Sequence, residues 1–217
     1  MRINSLLEGN QEHPRVGVLA NGGTIFAWEG GASGFHRVHY RVANAQGLFL
    51  GEDRFVTSPE SGEQVEPAMA ALKNGGAVLA WTDYLDDGSV KGVSARIIGA
   101  NSQALTDAFR LNKFTLGNQH KAQVVAMPSG GFAAVWVSDQ QQDAKSLDVV
   151  ARVFSATGQA LSAEVVVNAP GISANPSVAI AGESLVVAWE QLNLKQKKHR
   201  WDIGARSFDL NLTPLSE

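Results

Sequence analysis

Four loops of the sequence carry the residues best suited to bind a ligand. Each loop lies between a tryptophan and an arginine that recur along the chain, and binding residues gather on loops held by a rigid framework. The candidate binding residues are Phe35, His36, Arg37, Tyr84, Asp86, Asp87, Lys195, Lys197, Lys198, Arg200 and Trp201. Aromatic side chains stack on sugars, and basic side chains contact acidic groups. We therefore expect one loop face that binds a protein or a glycan.

Acidic residues in and beside these loops offer a catalytic alternative. The candidates are Asp83, Asp86, Asp139 and Glu190. Hydrolysis of a glycosidic bond needs a pair of carboxylates, and these four could converge at a central channel. Nothing in the sequence fixes their separation, and neither a G-x-S-x-G motif nor a phosphate-binding glycine loop occurs. A non-catalytic binding module is therefore favoured over an enzyme, with a carbohydrate-active enzyme and a self-assembling structural subunit as the alternatives.

Metal binding finds little support in the same loops. The segment "DYLDDG" at 83–88 lacks the alternating aspartates and the later bidentate acid of a calcium loop, although calcium there stays open. His36 and His39 are three residues apart on a predicted strand approach, with no third ligand apparent for zinc. We expect no metal and no cofactor.

The elements that must position these loops are repeated four times. Trp28, Trp81, Trp136 and Trp189 are 53, 55 and 53 residues apart, and Arg41, Arg96, Arg152 and Arg206 are 55, 56 and 54 apart. "NGGTIFAW", "NGGAVLAW", "SGGFAAVW" and "GESLVVAW" lead into the tryptophans. Both markers recur at fixed positions, so we expect the tryptophans to wedge between units and the arginines to satisfy backbone carbonyls.

Each unit is predicted to form four short antiparallel strands, with an Asn-Gly or Ser-Gly hairpin between the first two. Such repeats are typical of β-propeller blades. The sequence predicts an all-β, four-bladed propeller, a single domain over 1–217, with blades at about 6–58, 59–113, 114–169 and 170–217 plus 1–5. "MRINS" matches the last strand of the other units and should complete the fourth blade. An open arc that pairs with a second chain, and an excerpt from a longer array, are the alternatives.

Composition excludes several functional classes. The 217-residue chain has a formal net charge of −3 and no cysteine, which argues against binding to nucleic acid and rules out disulfide and thiolate chemistry. No apolar stretch is long enough to span a membrane. The remaining partners are a protein, a glycan or a second copy of the chain.

The repeat resembles a tandem β-propeller-type repeat of large secreted or surface-exposed bacterial proteins of the adhesin type. The shared pattern is V-N-x-Q-x-P, then G-G-x-V-V-x-W, then an arginine strand, carried here by "VNAPGISANPSVAI" and "ALKNGGAVLAW". This resemblance implies a secreted or cell-surface location and a lectin-like or adhesin-like interaction module. The four loops differ from one another and the fourth unit is degenerate, which puts simple inheritance of an adhesive role in doubt.

Overall fold

In a computed structural model, which describes residues 1–58, 62–84, 91–195 and 200–215, the chain forms four antiparallel sheets. Sheet 1 contains β1 (Asn10–Val18), β2 (Thr24–Gly31), β3 (Arg37–Ala43) and β4 (Arg54–Phe55). Sheet 2 contains β5 (Gln64–Ala71), β6 (Ala77–Tyr84), β7 (Lys91–Ile98) and β8 (Phe109–Arg110). Sheet 3 contains β9 (Gln119–Ala126), β10 (Phe132–Asp139), β11 (Leu147–Phe154) and β12 (Val165–Val166). Sheet 4 contains β13 (Ser173–Ala181), β14 (Ser184–Leu192) and β15 (Trp201–Asp209). The predicted all-β class and the repeated antiparallel units are confirmed.

The hairpin between the first two strands of each sheet forms as predicted. Gly22, Gly75 and Gly130 have positive φ values of 79°, 93° and 95°, a conformation that residues with a Cβ atom rarely adopt. Each turn closes with backbone hydrogen bonds, for example from the Leu19 amide to the Gly23 carbonyl at 2.8 Å. These turns fix the register of the strands that follow, because strand pairing starts at the hairpin.

The hydrophobic core lies between successive sheets. Trp81 packs in the cluster between sheets 1 and 2, Trp136 in the cluster between sheets 2 and 3, and Trp189 in the cluster between sheets 3 and 4. Trp81 and Trp136 have no exposed surface. These three tryptophans are therefore structural wedges between successive sheets, as predicted.

The recurrent arginines tie each sheet to the one before it. Nη1 of Arg96, Arg152 and Arg206 donates to the backbone carbonyls of Val56, Leu111 and Val167 at 2.8, 3.0 and 3.3 Å. These acceptors directly follow the last strand of the preceding sheet. The expectation that the arginines satisfy carbonyls is therefore confirmed.

The N-terminal segment occupies the same place against sheet 1. Nη1 of Arg41 donates to the carbonyl of Ile3 at 2.7 Å. Oδ2 of Asp53 accepts hydrogen bonds from the backbone amides of Ser5 and Leu6 at 2.7 and 3.0 Å. Residues 3–6 are thus docked where a fourth strand of a preceding sheet would end.

The predicted closure of the ring is not seen in the described residues. Sheet 4 contains three strands there, and no pairing joins residues 1–5 to β15. Ile203 and Trp201 on β15 are 76% and 49% exposed. The Arg41 and Asp53 contacts dock the N-terminal segment against sheet 1, as Arg96 docks the end of sheet 1 against sheet 2.

In the described part of the chain, no helix is long and apolar enough to cross a membrane.

Candidate functional site

One residue in the first strand of every sheet has an unusual backbone conformation. His13, Glu66, Lys121 and Asn175 have positive φ values of 51°, 57°, 55° and 48°. A left-handed conformation costs a residue with a Cβ about 1–2 kcal/mol. The strand pairing is irregular at each of these positions, as expected for β-bulges, which re-aim side chains and often border active sites. Four strained positions at one place in the repeat point to a shared functional region.

These four residues line one cavity of about 260 Å³ between the first strands of the four sheets, which we call the axial cavity. Its walls are His13, Arg15, Glu66, Lys121, Gln123, Asn175 and Pro176. All four sheets therefore contribute side chains to one polar cavity. Its charged groups include the cations of Arg15 and Lys121 and the carboxylate of Glu66.

A buried glutamate supports the cavity from β2. Glu29 is 4% exposed, and its Oε1 lies 2.7 Å from Nδ1 of His13. Its Oε2 accepts a hydrogen bond from the backbone amide of Glu66 at 2.7 Å. Glu29 thereby orients the His13 ring and joins sheet 1 to the bulge of sheet 2.

The same kind of contact continues around the axis. Oε2 of Glu66 accepts hydrogen bonds from the Thr82 hydroxyl at 2.8 Å and from the Lys121 amide at 3.1 Å. Nζ of Lys121 donates to Oδ1 of Asn175 at 2.7 Å, and Nδ2 of Asn175 donates to Oε2 of Glu190 at 2.8 Å. The cavity walls are therefore linked by hydrogen bonds from sheet 1 to sheet 4.

The spacing of two carboxylates at this site suits acid–base chemistry. The hydrogen bond from the Glu66 amide to Glu29 limits the distance between the two carboxylates to about 9 Å, given standard bond lengths. Glycosidases place their two carboxyl groups between about 5 and 9.5 Å apart. The upper limit of about 9 Å for Glu29 and Glu66 falls inside this range, so the pair is compatible with cleavage of an acetal bond.

A cluster of three potential metal ligands adjoins the cavity. Oxygen or nitrogen atoms of Glu12, His13 and Glu29 all lie within 4.8 Å of one another. Their closeness is accounted for by the His13–Glu29 contact. The expectation that no metal binds stays a prediction.

The predicted loop residues that the structure describes do not line the axial cavity. Phe35 is 76% exposed, and it borders a second cavity together with Arg37. Nδ1 of His36 lies 3.3 Å from Oε1 of Glu63, and Nζ of Lys91 lies 4.8 Å from the ring centre of Tyr84. The β2–β3 loop therefore forms a separate candidate region on sheet 1.

The basic loop of the fourth unit forms another region. Lys195 lines a cleft of about 750 Å³ that also includes Asp143 and Lys145 from the loop of sheet 3. Arg200 and Trp201 are exposed. Four further predicted residues, Asp86, Asp87, Lys197 and Lys198, lie outside the described residues.

Three of the acidic candidates have structural partners. Oδ2 of Asp139 accepts a hydrogen bond from Nδ2 of Asn118 at 2.8 Å, while Glu190 contacts Asn175 as described. Asp83 is buried at the end of β6. The remaining candidate, Asp86, lies outside the described residues. Of this set, Glu190 alone joins the axial hydrogen-bond chain among the described residues.

Sequence analysis missed most of the axial residues, although the repeat contains a signal for them. The position before Pro14, Pro67, Ala122 and Pro176 holds four different polar residues. A repeat position that is polar in every unit but different in each is typical of residues that face a ligand rather than the core. In the sequence these prolines show only the period of the repeat, whereas the bulges at the preceding residues are seen only in the structure.

Comparisons with known proteins show the fold. No protein-family model and no curated protein sequence matches the chain. A thermostable family-43 glycoside hydrolase is similar in structure, with a TM-score of 0.59 and 9% identity over 98% of this chain and 74% of that one. An α-L-arabinofuranosidase from Lactobacillus brevis has a TM-score of 0.56 and 11% identity over 93% of this chain and 72% of that one. An endo-arabinase from Bacteroides thetaiotaomicron has a TM-score of 0.56 and 12% identity over 94% of this chain and 74% of that one.

These similarities correct the functional expectation. A non-catalytic interaction module was favoured because no catalytic motif is visible in the sequence. That preference is wrong, since the similar structures are enzymes that act on glycosides. The four repeated sheets fit the β-propeller arrangement. The similar structures favour the glycosidase alternative over the binding module.

Proposed function

We propose that the protein is a carbohydrate-active enzyme that hydrolyses glycosidic bonds at the axial cavity. The observation that carries this proposal is the pairing of Glu29 and Glu66 across sheets 1 and 2, beside a cavity bordered by all four sheets. Similar structures include enzymes named for arabinose-containing substrates, so a pentose-containing glycan is the substrate class we assign.

Residues around the cavity divide the chemical roles. Glu66 lines the cavity and has two donors on Oε2, an arrangement that suits an ionised carboxylate acting as base or nucleophile. Glu29 holds His13, and this pair supplies the proton to the leaving oxygen. Arg15, Gln123 and Asn175 bind sugar hydroxyls.

The size of the cavity limits what it binds. At about 260 Å³ it is slightly smaller than the pockets of roughly 300–1,000 Å³ that hold drug-sized ligands. One sugar ring therefore enters the cavity, and the rest of the glycan extends over the surface. Such a polymer is met outside the cell, which agrees with the secreted or surface location implied by the repeat.

Hydrolysis assays test the proposal. The wild-type protein should release p-nitrophenol from p-nitrophenyl α-L-arabinofuranoside or β-D-xylopyranoside, or reducing ends from arabinan. Glu66→Gln and Glu29→Gln should each lower kcat/KM by about 10²–10⁴-fold, the usual contribution of a general acid or base. Glu183→Gln is the matched control, because Glu183 is an exposed glutamate in the β13–β14 turn. Undiminished activity in Glu66→Gln, or a folded wild-type protein inactive on all three substrates, would overturn the assignment.

We also propose that the N-terminal segment closes the ring as the fourth strand of sheet 4. "MRIN" at 1–4 matches "FRLN" at 109–112 and "VVVN" at 165–168. Nδ2 of Asn4 donates to the carbonyl of Leu6 at 2.7 Å, as Nδ2 of Asn112 donates to the carbonyl of Phe114 at 2.8 Å. By analogy with the hydrogen bond from the Leu111 amide to the Val93 carbonyl, Ile3 then pairs with Ile203.

A designed disulfide tests this closure. The chain has no cysteine, so Ile3→Cys with Ile203→Cys introduces one pair without competitors. Directly paired strand residues have Cα atoms close enough for a disulfide. We expect a monomer with an internal disulfide by mass spectrometry under non-reducing conditions. Ile3→Cys with Trp201→Cys, two positions out of register, should stay reduced. A disulfide-linked dimer, or no disulfide in the first variant, would contradict the closure.

A further inference from the structure

A second cavity, of about 450 Å³, lies on sheet 1 away from the axial carboxylates. It is bordered by the N-terminal segment on one side and by the β2–β3 loop on the other. The residues that matter for binding are Glu8, Gln11, Phe35, Arg37, His39 and Phe55. It therefore combines aromatic rings with several hydrogen-bonding groups.

His39 is a buried polar residue in the wall of this cavity. It is 4% exposed, stacks on Trp28 with ring centres 5.6 Å apart, and contacts the Phe55 ring at 4.6 Å. Its Nδ1 has no hydrogen-bond partner among the described residues. Buried polar atoms are rarely left unpaired, and an exception of this kind suggests a missing partner.

The charge state of His39 restricts what that partner is. Burial lowers the pKa of its imidazole, while the hydrogen bond to the Gly30 backbone acts in the opposite direction as a smaller effect. The ring is therefore neutral at pH 7. A neutral imidazole presents one nitrogen as an acceptor, which suits a hydroxyl group.

Sheet 3 fills the equivalent space with its own side chains. The Ser138 hydroxyl donates to Oε1 of Gln141 at 2.7 Å, and the Gln142 amide donates to Oδ2 of Asp148 at 2.9 Å. Sheet 1 has Gly30 at the position of Ser138, and a Cβ there would collide with the Gln11 amide. Gly30 thus makes room for the Gln11 side chain, and both residues form part of the wall of the sheet 1 cavity.

The remaining walls suit a sugar. Gln11 is held in place, since its Oε1 accepts from Nε1 of Trp28 at 2.8 Å and its Nε2 donates to the Glu8 carbonyl at 3.0 Å. Phe35 stands at the rim and is 76% exposed, so its face is available to stack on a sugar ring. Glu8 and Arg37 bring opposite charges to the walls, so the cavity has no excess of charge that would favour an ionic ligand over a neutral one.

We propose that this cavity is an accessory binding site for a neutral sugar unit. A hydroxyl group of the sugar donates a hydrogen bond to Nδ1 of His39, and the sugar ring stacks on Phe35. The site does not depend on hydrolysis at the axial cavity. It would hold a sugar residue of a glycan, or a free monosaccharide, without cleaving it.

NMR titration with monosaccharides tests the site. L-arabinose and D-xylose have no glycosidic bond to cleave, so the measurement reports binding alone and fails independently of the hydrolysis assay. With ¹⁵N-labelled histidine, we expect a saturable shift of the His39 ring nitrogens with a Kd in the millimolar range. The shift should persist in Glu66→Gln, because that residue lies in the other cavity.

Two substitutions separate binding from folding. Phe35→Ala removes an exposed ring and should weaken binding at least fivefold, whereas Leu161→Ala, another exposed apolar residue, should have no effect. His39→Val introduces the type of residue that sheet 3 carries at the equivalent position, Val150. In this variant binding is followed by the backbone amide of Phe35 in uniformly ¹⁵N-labelled protein, and the saturable shift should be lost while the protein stays folded. The absence of a saturable shift with both sugars, or an unchanged Kd in Phe35→Ala, would overturn the proposal.

Discussion

Sheets 1 and 3 share one repeat but use its positions differently. Sheet 3 has Val137 and Val150 where sheet 1 has Glu29 and His39. All four side chains are buried, so the difference is in chemistry rather than in depth. Val150 packs in the core between sheets 2 and 3, whereas in sheet 1 Glu29 contacts His13 of the axial cavity and His39 lines the second cavity.

This difference shows where the repeat tolerates functional change. Polar groups in a buried position cost free energy unless they find partners, and sheet 1 provides one for Glu29 but leaves Nδ1 of His39 without one among the described residues. Sheet 3 lies between two other sheets and is packed on both faces. Sheet 1 shares a hydrophobic cluster with sheet 2, while its Trp28 and His39 border cavities.

The largest expected effect compares the wedge tryptophans of the two sheets. Trp136 has no exposed surface, and Trp136→Ala should lower the free energy of unfolding by about 3–5 kcal/mol. Trp28 borders a cavity of about 320 Å³, so Trp28→Ala removes fewer contacts and should cost about 1–3 kcal/mol. Urea denaturation followed by circular dichroism measures both.

Equal losses in the two variants would contradict the comparison. They would indicate that sheet 1 is packed on its outer face as tightly as sheet 3. A larger loss of unfolding free energy in Trp28→Ala than in Trp136→Ala would also indicate tight packing of sheet 1. The alternative cause is loss of the hydrogen bond from Nε1 of Trp28 to Oε1 of Gln11. Trp28→Phe, which keeps a ring but not the donor, separates these causes.

Much of the fold could be predicted because it depends on positions that repeat. Asn-Gly turns, the wedge tryptophans and the clamping arginines have the same environment in every unit, so spacing alone identifies them. The bulges could not be predicted in the same way. A left-handed Glu66 or Lys121 has no propensity signal, and its conformation follows from packing around an axis that four sheets create together.

The candidate site was missed for a related reason. Catalytic and binding residues were sought in the variable loops, where composition is most distinctive. The axial carboxylates instead lie in or beside the strands, at positions whose polarity looks incidental in any one unit. Glu29 directly follows a wedge tryptophan, and Glu66 directly precedes a proline. Only the packing of β2 against β5, the first strand of sheet 2, makes them a pair.

The smallest expected effect is a pH dependence of the free energy of unfolding, caused by one buried histidine in sheet 1 and one in sheet 3. Burial lowers the pKa of His39 in sheet 1 and of His120 in sheet 3, with nearby acids opposing the shift less strongly. Unfolding restores an ordinary pKa near 6.5, so the unfolded chain binds more protons as the pH falls below that value. The free energy of unfolding should therefore decrease between pH 7 and pH 5.

Of these two histidines, His39 is the one in sheet 1, so it carries that sheet's share of the pH dependence. His39→Val should flatten the decrease in part, and His120→Gln should remove a further part, because each substitution removes an imidazole whose pKa is lowered by folding. Urea denaturation at pH 7, 6 and 5 measures the slope in each variant. A slope unchanged by His39→Val would mean that folding does not lower the pKa of His39, which would contradict the burial argument for a neutral acceptor at the accessory sugar site.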